Sequence, residues 1–295
     1  MARCLVTGHK GYIGSHLYKR LQELGHEVKG IDLQDEYPKD ILNHLKEYDD
    51  GSERFNPNYQ FFKPEYIFHL ACFPRVQFSV DNPIETMTNN ILSTSYVLNF
   101  ARKVGVKRVI YSSSSSVIGD GTGPKSPYAL QKMTSELECR LYSELYGLDT
   151  VSLRYFNVYS SDQTANDAYP TVIAAWMHAI KENKRPFITG DGEQRRDMLH
   201  VEDAIAANIF AMNYEERFNG QYFDIGTGNN ISLNQIKNIV LKYHPNIVFD
   251  YVEERKGDVR ETLASTSAIN SLGWNAEIAI EHGTRECFNF LKEER

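Results

Sequence analysis

A glycine-rich turn between a short apolar strand and an amphipathic helix is the sequence feature that most constrains this chain. The strand is predicted at Cys4-Leu5-Val6, and apolar residues at helical spacing predict the helix: Ile13, Leu17, Leu21 and Leu24. Between them lies Thr7-Gly8-His9-Lys10-Gly11-Tyr12-Ile13-Gly14. Glycines at this spacing allow a tight turn, close approach of the backbone to a ligand and close packing of helix on strand. Because free N–H groups at a helix start attract phosphate, the turn predicts a phosphate-binding β–α unit.

Strand and helix patterns alternate through the first half of the chain. Further strands are predicted at 28–31, 66–70, 108–111 and 150–155, and helices at 90–104 and 128–146. Buried strands that alternate with helices predict an α/β fold with a parallel, doubly wound sheet. We therefore predict a Rossmann domain over residues 1–157.

The second half is less regular. Its predicted helices cover 168–183 and 201–212, its predicted strands cover 187–189 and 222–225, and Ser232-Leu233-Asn234-Gln235 has the form of a capping box that begins another helix. We interpret residues 158–295 as a smaller α/β substrate-binding lobe, with some segments returning to the Rossmann sheet.

The charge balance excludes some classes of function. The chain has 295 residues, with 32 Lys and Arg against 39 Asp and Glu, a net charge of −7. This argues against binding to nucleic acid or to an anionic membrane surface. The sequence contains no signal-peptide pattern, no apolar stretch of transmembrane length and no His/Cys/Asp cluster with metal-ligand spacing. The four scattered cysteines favour free thiols in a reducing compartment, so we expect a cytoplasmic protein without a metal.

An acidic residue ends the second predicted strand. Asp32 follows Gly14 by 18 positions, and an acid there can accept both ribose hydroxyls of an adenosine while repelling a 2′-phosphate. The glycine motif is a G-x-x-G-x-x-G variant of the dinucleotide fingerprint. Together they favour NAD over NADP, although an ordinary glycine turn and a turn-capping Asp are the simpler alternatives.

Several further motifs lie along the whole chain. They are His69-Leu70-Ala71, Asn89-Asn90, Tyr111-Ser112-Ser113-Ser114, Tyr128-x-x-x-Lys132, Arg154-Tyr155-Phe156-Asn157, Gly190-Asp191-Gly192 through Arg196-Asp197, and Arg255-Lys256-Gly257-Asp258. With the glycine motif, they resemble the extended short-chain dehydrogenase/reductases of the NAD-dependent nucleotide-sugar epimerase/dehydratase family. Within that family the chain is most similar to UDP-glucose and UDP-N-acetylglucosamine 4-epimerases.

The resemblance implies a cofactor site for NAD. Its expected residues are Gly8, Gly11, Tyr12, Ile13, Gly14, Asp32, Leu33, Asp40, Ile41, Leu70, Ala71, Cys72, Asn89, Ser112, Tyr128, Lys132, Tyr155 and Phe156. Asp40 and Ile41 would contact the adenine, and Asn89 and Phe156 would lie near the nicotinamide half. Family members usually have a helix before the adenine contacts, whereas here Asp40 follows Asp32 by only eight positions.

The candidate catalytic residues are Ser114, Tyr128 and Lys132. A Y-x-x-x-K pair alone is a weak signal, since Tyr59 and Lys63 form another one. The pair at Tyr128 differs because Ser126 is a good N-cap and Pro127 a good first helical residue, which places Tyr128 in a first turn and Lys132 one turn later. A tyrosine with an ordinary pKa of about 10 is a poor base, and a nearby ammonium favours its phenolate. Ser114 would share the substrate hydroxyl with Tyr128.

The residues after Ser114 distinguish reaction types. Dehydratases of the family have Thr-Asp-Glu here, and related decarboxylases keep the Glu, whereas this chain has Ser114-Ser115-Ser116. Without those carboxylates, oxidation and reduction at one carbon remain, which is what a 4-epimerase requires. The alternatives are a nucleotide-sugar 4-ketoreductase, a 4,6-dehydratase-like enzyme and a non-catalytic NAD-binding regulatory protein.

The resemblance also implies substrate contacts. A UDP-sugar would be bound by Ser114, Asn157, Arg196, Arg255, Asp258 and Thr262. Arg196 and Arg255 match diphosphate- or nucleotide-binding positions, and Asn157 matches a diphosphate or sugar contact. Arg195 is a weaker candidate than Arg196, and Arg260 is a candidate without a defined role.

Thr262 matches the position that walls the pocket near the sugar C2 substituent. Its small side chain would leave room for an N-acetyl group, although it could also be a core-facing strand residue. The segment from Asn166 to Tyr169, with Val172, Ile173 and Trp176, also resembles N-acetylhexosamine epimerases. We therefore expect UDP-GlcNAc and UDP-GalNAc as substrates, interconverted at least as well as UDP-Glc and UDP-Gal.

Two features receive a structural interpretation. His69 and His200 are expected to be packed or hydrogen-bonded histidines. The stripe Leu137, Leu141 and Leu145 is core by default, but in the family such helices form a dimer interface, which implies a homodimer.

Overall fold

The structure, a computed structural model, describes residues 1–34, 62–163, 171–254 and 259–292. The chain divides into two units. The first comprises Met1–Ile118, Gly123–Arg154 and Ile205–Phe223, and the second comprises Gly119–Thr122, Tyr155–Ala204 and Asp224–Arg295.

A six-stranded sheet organises the first unit. Its strands are β1 (Arg3–Thr7), β2 (Glu27–Ile31), β3 (Tyr66–His69), β4 (Arg108–Ser114), β5 (Thr150–Tyr155) and β10 (Gln221–Ile225), in the order β10-β5-β4-β3-β1-β2. The pairs β1–β2, β1–β3 and β3–β4 are parallel, so Cys4 lies between Val28 and Tyr66. The strand order reverses between β1 and β3, which is where open α/β sheets bind their ligands. The predicted parallel Rossmann sheet is confirmed.

Helices connect these strands. They are α1 (Tyr12–Glu23), α2 (Val76–Asp81), α3 (Pro83–Met87), a π-helical turn at Thr88–Leu92, α4 (Ser93–Val104), a 3₁₀ turn at Ser115–Val117, α5 (Pro127–Tyr146) and α7 (Val201–Asn213). The fully buried side chains of Ile67, Leu98 and Val109 belong to the core between strands and helices. Each such side chain contributes roughly 1.5–3 kcal/mol by leaving water.

The second unit has its own elements and core. Its helices are α6 (Val172–Lys181), α8 (Leu233–Tyr243), α9 (Ser267–Ser271) and α10 (Ile280–Cys287), followed by a 3₁₀ turn at Asn289–Lys292. Three strand pairs complete it: β6 (Val158–Tyr159) with β9 (Leu199–His200), β7 (Phe187–Thr189) with β12 (Asp250–Val252), and β8 (Arg195–Arg196) with β11 (Ile231–Ser232). Trp176 is fully buried in this core and donates from Nε1 to the Phe187 carbonyl at 2.8 Å.

Local signals in the sequence agree with several helix starts. Ser126 Oγ accepts from the Ala129 N–H at the start of α5, and Ser232 forms the predicted capping box with Gln235. The strand predicted at 108–111 is longer than expected, because β4 continues to Ser114. The short helices α2, α3, α9 and α10 were not predicted, since each is too short for apolar periodicity to stand out. None of the described helices is long and apolar enough to cross a membrane.

Candidate active site

The glycine turn forms a tightly closed cradle at the end of β1. Gly8 has a φ of 75°, and a Cβ atom there would lie 2.7 Å from the Ala71 nitrogen. A Cβ atom at Gly14 would lie 2.0 Å from the Gly8 carbonyl oxygen. Both positions therefore require glycine, and the turn leads into α1 from its N-cap Gly11. This close-packed turn before a helix start fits the pyrophosphate of a dinucleotide.

Asp32 lies at the end of β2 and is buried. Its Oδ2 accepts from the Lys10 N–H at 3.0 Å, and its Oδ1 accepts from the Gln34 N–H at 3.1 Å. The carboxylate therefore does cap its own turn, as the simpler interpretation expects, and it also holds the glycine turn. An acid at this position of a Rossmann sheet suits the ribose hydroxyls of a bound dinucleotide, because a carboxylate oxygen accepts more than one hydrogen bond.

A buried histidine, His69, anchors the loop after β3, which includes Leu70, Ala71 and Cys72. His69 Nδ1 lies 2.7 Å from Thr7 Oγ1, and its Nε2 lies 3.1 Å from Thr94 Oγ1. Thr7 Oγ1 also accepts from the Ala71 N–H at 3.3 Å. Burial, and to a lesser degree the charge of Lys132, lowers the pKa of His69 to about 3, so the imidazole is neutral. The prediction that His69 is structural is confirmed.

Asparagine side chains hold the other end of this loop. Asn90 is buried in the π-helical turn, and its Oδ1 accepts from the Phe73 N–H at 2.7 Å. Asn90 Nδ2 donates to Gln131 Oε1 at 2.8 Å, which ties the loop to α5. The predicted cofactor residue Asn89 donates to Asn90 Oδ1 at 3.4 Å. The loop expected to line the cofactor is therefore held by hydrogen bonds on both sides.

Tyr128 and Lys132 lie on one face of α5, one turn apart, and both are buried. The Tyr128 N–H donates to Ser79 Oγ at 3.0 Å. Lys132 Nζ donates to the Ser112 carbonyl at 2.6 Å and lies 5.9 Å from the centre of the Tyr128 ring. A buried ammonium at this separation stabilises negative charge on the tyrosine, which is the electrostatic requirement for a tyrosine base.

Ser114 lies at the last position of β4, two residues after Ser112, whose carbonyl accepts from Lys132. Its Oγ accepts from the Ser116 N–H at 3.2 Å and so caps the 3₁₀ turn. Because this bond uses a lone pair, the Ser114 hydroxyl hydrogen stays available to donate. The helix α5 packs against both β4 and the 3₁₀ turn, which brings the three predicted catalytic residues into one region of the first unit.

In the second unit, Asn157 has a strained backbone with a φ of 33°. Its Nδ2 donates to the Asp197 carbonyl at 2.7 Å and to Thr262 Oγ1 at 3.2 Å. These bonds bring the predicted substrate residues Asn157 and Thr262 into contact. Tyr155 and Phe156, which precede them, are buried.

The Asp197 carboxylate organises the loops around this contact. It accepts from the N–H groups of Thr227, Gly228 and Ala264 at 2.8–3.1 Å and from Thr227 Oγ1 at 2.7 Å. Burial raises the pKa of Asp197, and these donors oppose that rise by favouring the charged form. One buried acid therefore fastens three separate segments of the second unit.

The candidate arginines differ in the hydrogen bonds that their guanidinium groups make within the protein. Arg195 binds the side chain and the carbonyl of Asn230 at 2.6 and 2.9 Å, which agrees with its ranking below Arg196. Arg260 forms a bidentate, exposed pair with Asp191 at 2.9 Å. Arg196 is half-buried and donates from Nη1 to the Arg195 carbonyl at 2.9 Å. The other predicted contacts Arg255 and Asp258, like the adenine residues Asp40 and Ile41, lie outside the described residues, as does the segment 166–169.

A buried ion pair beside the predicted catalytic residues was not itself predicted. Glu136, on α5, accepts from Arg154 Nε at 2.8 Å and from Arg154 Nη2 at 2.6 Å, and it also accepts from Ser113 Oγ. A signal was present, because Glu136 follows Lys132 by one helical turn and Arg154 opens one of the motifs. Nothing in the sequence alone indicated that these two residues pair.

Comparisons with known proteins extend this geometry. The model of the NAD-dependent epimerase/dehydratase family matches residues 4–226. A putative UDP-glucose 4-epimerase of Methanocaldococcus jannaschii is 30% identical over an alignment of 305 positions that covers 98% of each chain.

Two solved structures are similar over nearly the whole chain. A UDP-glucose 4-epimerase of Thermotoga maritima, solved with UDP-glucose, has a TM-score of 0.87 at 28% identity and covers 99% of each chain. A UDP-N-acetylglucosamine 4-epimerase of Methanobrevibacter ruminantium, solved with UDP-N-acetylmuramic acid, has a TM-score of 0.86 at 28% identity and covers 100% of this chain and 99% of that one.

Proposed function

The chain belongs to the NAD-dependent epimerase/dehydratase family, and from that premise we propose that it is a 4-epimerase of a UDP-sugar. The observation that carries the proposal is the group of Ser114, Tyr128 and Lys132 at the end of β4, followed by serines at 115 and 116. A proton acceptor with its supporting ammonium is present, whereas the carboxylates that a dehydratase would use are missing from these positions. Such a group supports reversible oxidation at one carbon.

NAD is the cofactor of this family, and the first unit fits it. The cradle at Gly8, Gly11 and Gly14 would hold the pyrophosphate, and Asp32 would accept the hydroxyls of the adenosine ribose. When bound, NAD supplies a hydride acceptor that later returns the hydride to the sugar.

The residues of the chain supply the proton chemistry. The Ser114 hydroxyl donates a hydrogen bond to the oxygen at C4 of the sugar, and Tyr128 Oη takes the proton from the C4 hydroxyl. Lys132, held at the Ser112 carbonyl, stabilises the phenolate before transfer and makes the tyrosine an effective base near neutral pH. On the return step Tyr128 gives the proton back, so neither residue changes over a full cycle.

The proposed substrates include the N-acetylated sugars. Thr262 has a small side chain that is half-buried, and its Oγ1 is held by the Asn157 amide. A small residue at the position that the resemblance places near the sugar C2 substituent leaves space for an acetamido group. UDP-GlcNAc and UDP-GalNAc are then interconverted at least as well as UDP-Glc and UDP-Gal, with Arg196, Arg255 and Asp258 binding the nucleotide diphosphate.

A homodimer is part of the same proposal. On α5, the side chains of Leu137, Leu141 and Leu145 are 51%, 47% and 62% exposed, although they lie at helical spacing on one stripe. The default expectation that they form core is therefore wrong for this chain by itself. A second copy that packs its own α5 stripe here would bury them. Sedimentation velocity on the native protein and on Leu141→Glu tests this, and a native monomer would contradict it.

One experiment tests the activity directly. The protein is incubated with NAD and one nucleotide sugar at a time: UDP-GlcNAc, UDP-GalNAc, UDP-Glc, UDP-Gal or a GDP-sugar. The products are resolved by NMR. We expect 4-epimers from the UDP-sugars. A 4-keto-6-deoxy product would overturn the argument from Ser115 and Ser116, and net reduction of the added NAD to NADH, with a 4-keto sugar as product, would favour a ketoreductase working in reverse.

A further inference from the structure

The unpredicted ion pair of Glu136 and Arg154 is hydrogen-bonded to Ser113, the residue next to the proposed catalytic serine. Tyr128, Lys132 and Glu136 follow each other at four-residue intervals on α5, and all three are buried. Side chains at this spacing share one face of a helix. Glu136 therefore belongs to the same face as the two catalytic residues, one turn beyond Lys132.

This helix face binds two consecutive residues of β4. Lys132 Nζ donates to the Ser112 carbonyl at 2.6 Å, and Ser113 Oγ donates to Glu136 Oε1. The next residue is Ser114. The two bonds thus fix the end of β4 against α5 at the point where Ser114 begins the 3₁₀ turn.

Arg154 holds Glu136 in place from the neighbouring strand. Its guanidinium binds both carboxylate oxygens, and its Cζ lies 3.5 Å from the centre of the Tyr222 ring on β10. The side chains of Arg154 and Glu136 are only 12% and 7% exposed. A bidentate, buried pair of this kind has one well-defined geometry, unlike an exposed ion pair.

From this geometry we infer that Glu136 and Arg154 are positioning residues for catalysis, which set the place of Ser114 relative to Tyr128 and Lys132. The inference rests on the proposed epimerase activity for its kinetic consequence. Neither residue is assigned a contact with substrate or cofactor. They act through Ser113 and through the position of the strand end.

A buried pair at the opposite end of the same strand supplies a matched control. Arg108, the first residue of β4, donates from Nε to Asp149 Oδ2 at 2.6 Å, and these side chains are 7% and 6% exposed. Arg108 also donates to the carbonyls of Ala211, Tyr214 and Glu216. Both pairs join an arginine to a buried carboxylate in the first unit, but only the pair at Glu136 reaches the catalytic end of β4.

The test compares Glu136→Gln with Asp149→Asn in the NAD-bound enzyme. Both changes keep the side-chain shape and remove one buried charge. We expect Glu136→Gln to lower kcat about 10- to 100-fold with KM and the Kd for NAD nearly unchanged, because misplaced catalytic groups cost rate rather than binding. Asp149→Asn should lower the unfolding temperature but leave kcat within about twofold of native. Glu136→Asp, which keeps the charge, should recover part of the lost kcat.

A second readout does not depend on activity. The Ser116 N–H donates to Ser114 Oγ, so its hydrogen exchange reports whether the catalytic turn is in place. Exchange at Ser116 should speed up in Glu136→Gln and stay at its native rate in Asp149→Asn. An unchanged kcat and unchanged Ser116 exchange in Glu136→Gln, or equal losses in both variants, would overturn the inference. If the native protein epimerises no sugar, the proposed function fails while the exchange measurement still decides the positioning role.

A milder pair of variants applies if Glu136→Gln does not fold. Ser113→Ala removes only the hydroxyl that links β4 to Glu136, and Ser143→Ala removes a buried hydroxyl at the far end of α5, where Ser143 Oγ donates to the Leu148 carbonyl at 2.6 Å. Only Ser113→Ala should lower kcat and speed exchange at Ser116. Equal behaviour of the two serine variants would contradict the proposal.

Discussion

The region around Lys132 in the first unit and the region around Asp197 in the second unit both depend on a buried charge, but they use it differently. Lys132 Nζ donates to the Ser112 carbonyl and lies over the rings of Tyr111 and Tyr128. Its positive charge therefore acts on Tyr128. The Asp197 carboxylate accepts hydrogen bonds from four donors of its own unit, and these bonds hold the loops together. The first arrangement suits chemistry, and the second suits the shaping of a binding surface.

This difference implies that changes in the two regions should alter different kinetic constants. Variants near Lys132 should reduce turnover or cofactor binding. Variants near Asp197 should change which sugar is accepted, because the main-chain carbonyl of Asp197 accepts from Asn157 and its N–H donates to Thr262 Oγ1. The predictions below test this division, beginning with the largest effect.

Replacing the proposed base should give the largest effect. Tyr128→Phe removes the proton acceptor while leaving the ring that packs near Lys132, so we expect kcat to fall about 10²- to 10⁴-fold with folding and NAD binding nearly intact. Steady-state kinetics and NAD titration measure this. Tyr59→Phe, in the other Y-x-x-x-K pair, is the control and should change little. Near-native turnover of Tyr128→Phe would refute the assignment of the base.

A change at the second region should alter substrate choice instead of rate. Thr262→Tyr places a large ring where the acetamido group is proposed to lie, and overpacking of this kind costs about 1–3 kcal/mol, or roughly 10- to 100-fold in kcat/KM for UDP-GlcNAc. UDP-Glc should be converted nearly as before. Thr262→Ser, which stays small and keeps the hydroxyl that accepts from Asn157, should keep the native preference. If Thr262→Tyr slows both sugars equally, the pocket assignment is wrong.

The cofactor preference depends on Asp32. The native enzyme should bind NAD much more tightly than NADP, and Asp32→Ala should narrow the ratio by about 10- to 100-fold, since hydrogen bonds to a charged group contribute about 1.5–3 kcal/mol. Fluorescence titration with both cofactors measures the ratio. Asp149→Asn, a buried acid elsewhere in the first unit, is the control. Equal native affinity for the two cofactors would contradict this role of Asp32.

The buried His69 should make stability depend on pH. Its pKa is lowered to about 3 in the folded state, below the ordinary value of 6.5, so the unfolded chain binds a proton first as pH falls. Its contribution to stability is therefore complete above pH 6.5 and decreases toward pH 3, by up to about 1.4 kcal/mol per pH unit. Urea unfolding between pH 7 and 5 should show a smaller slope for His69→Gln than for native protein. Equal slopes would show that His69 does not titrate in this way.

Much of the fold could be predicted from local patterns. The strands at β1, β2, β3 and β5 and the start of α5 each have a signal within a few residues, and Ser126 and Pro127 lie where a helix start requires them. The extension of β4 through Ser112, Ser113 and Ser114 could not be predicted, because serine is not among the β-branched and aromatic residues that are enriched in strands. Those residues are in the sheet because their neighbours in space pair with them.

The candidate site divides in the same way. The glycine cradle, Asp32 and the pair of Tyr128 and Lys132 have spacings set by one turn or one helix, so the sequence alone indicates their chemistry. The bonds from Asn157 to Thr262 and from Glu136 to Arg154 join residues 105 and 18 positions apart. No local pattern indicates such partners.

The sequence by itself determined the glycine turn before the first helix, the tyrosine and lysine on one helix face, and the absence of carboxylates at positions 115 and 116. Only the tertiary structure decided which charged groups are paired within the protein, as for Asp197 and Arg154. It also decided that Lys132 lies near Tyr128 with no carboxylate bonded to it among the described residues. The physical reason is that residue spacing along a helix or turn is fixed by backbone geometry, whereas the partner of a buried charge is fixed by packing between distant segments.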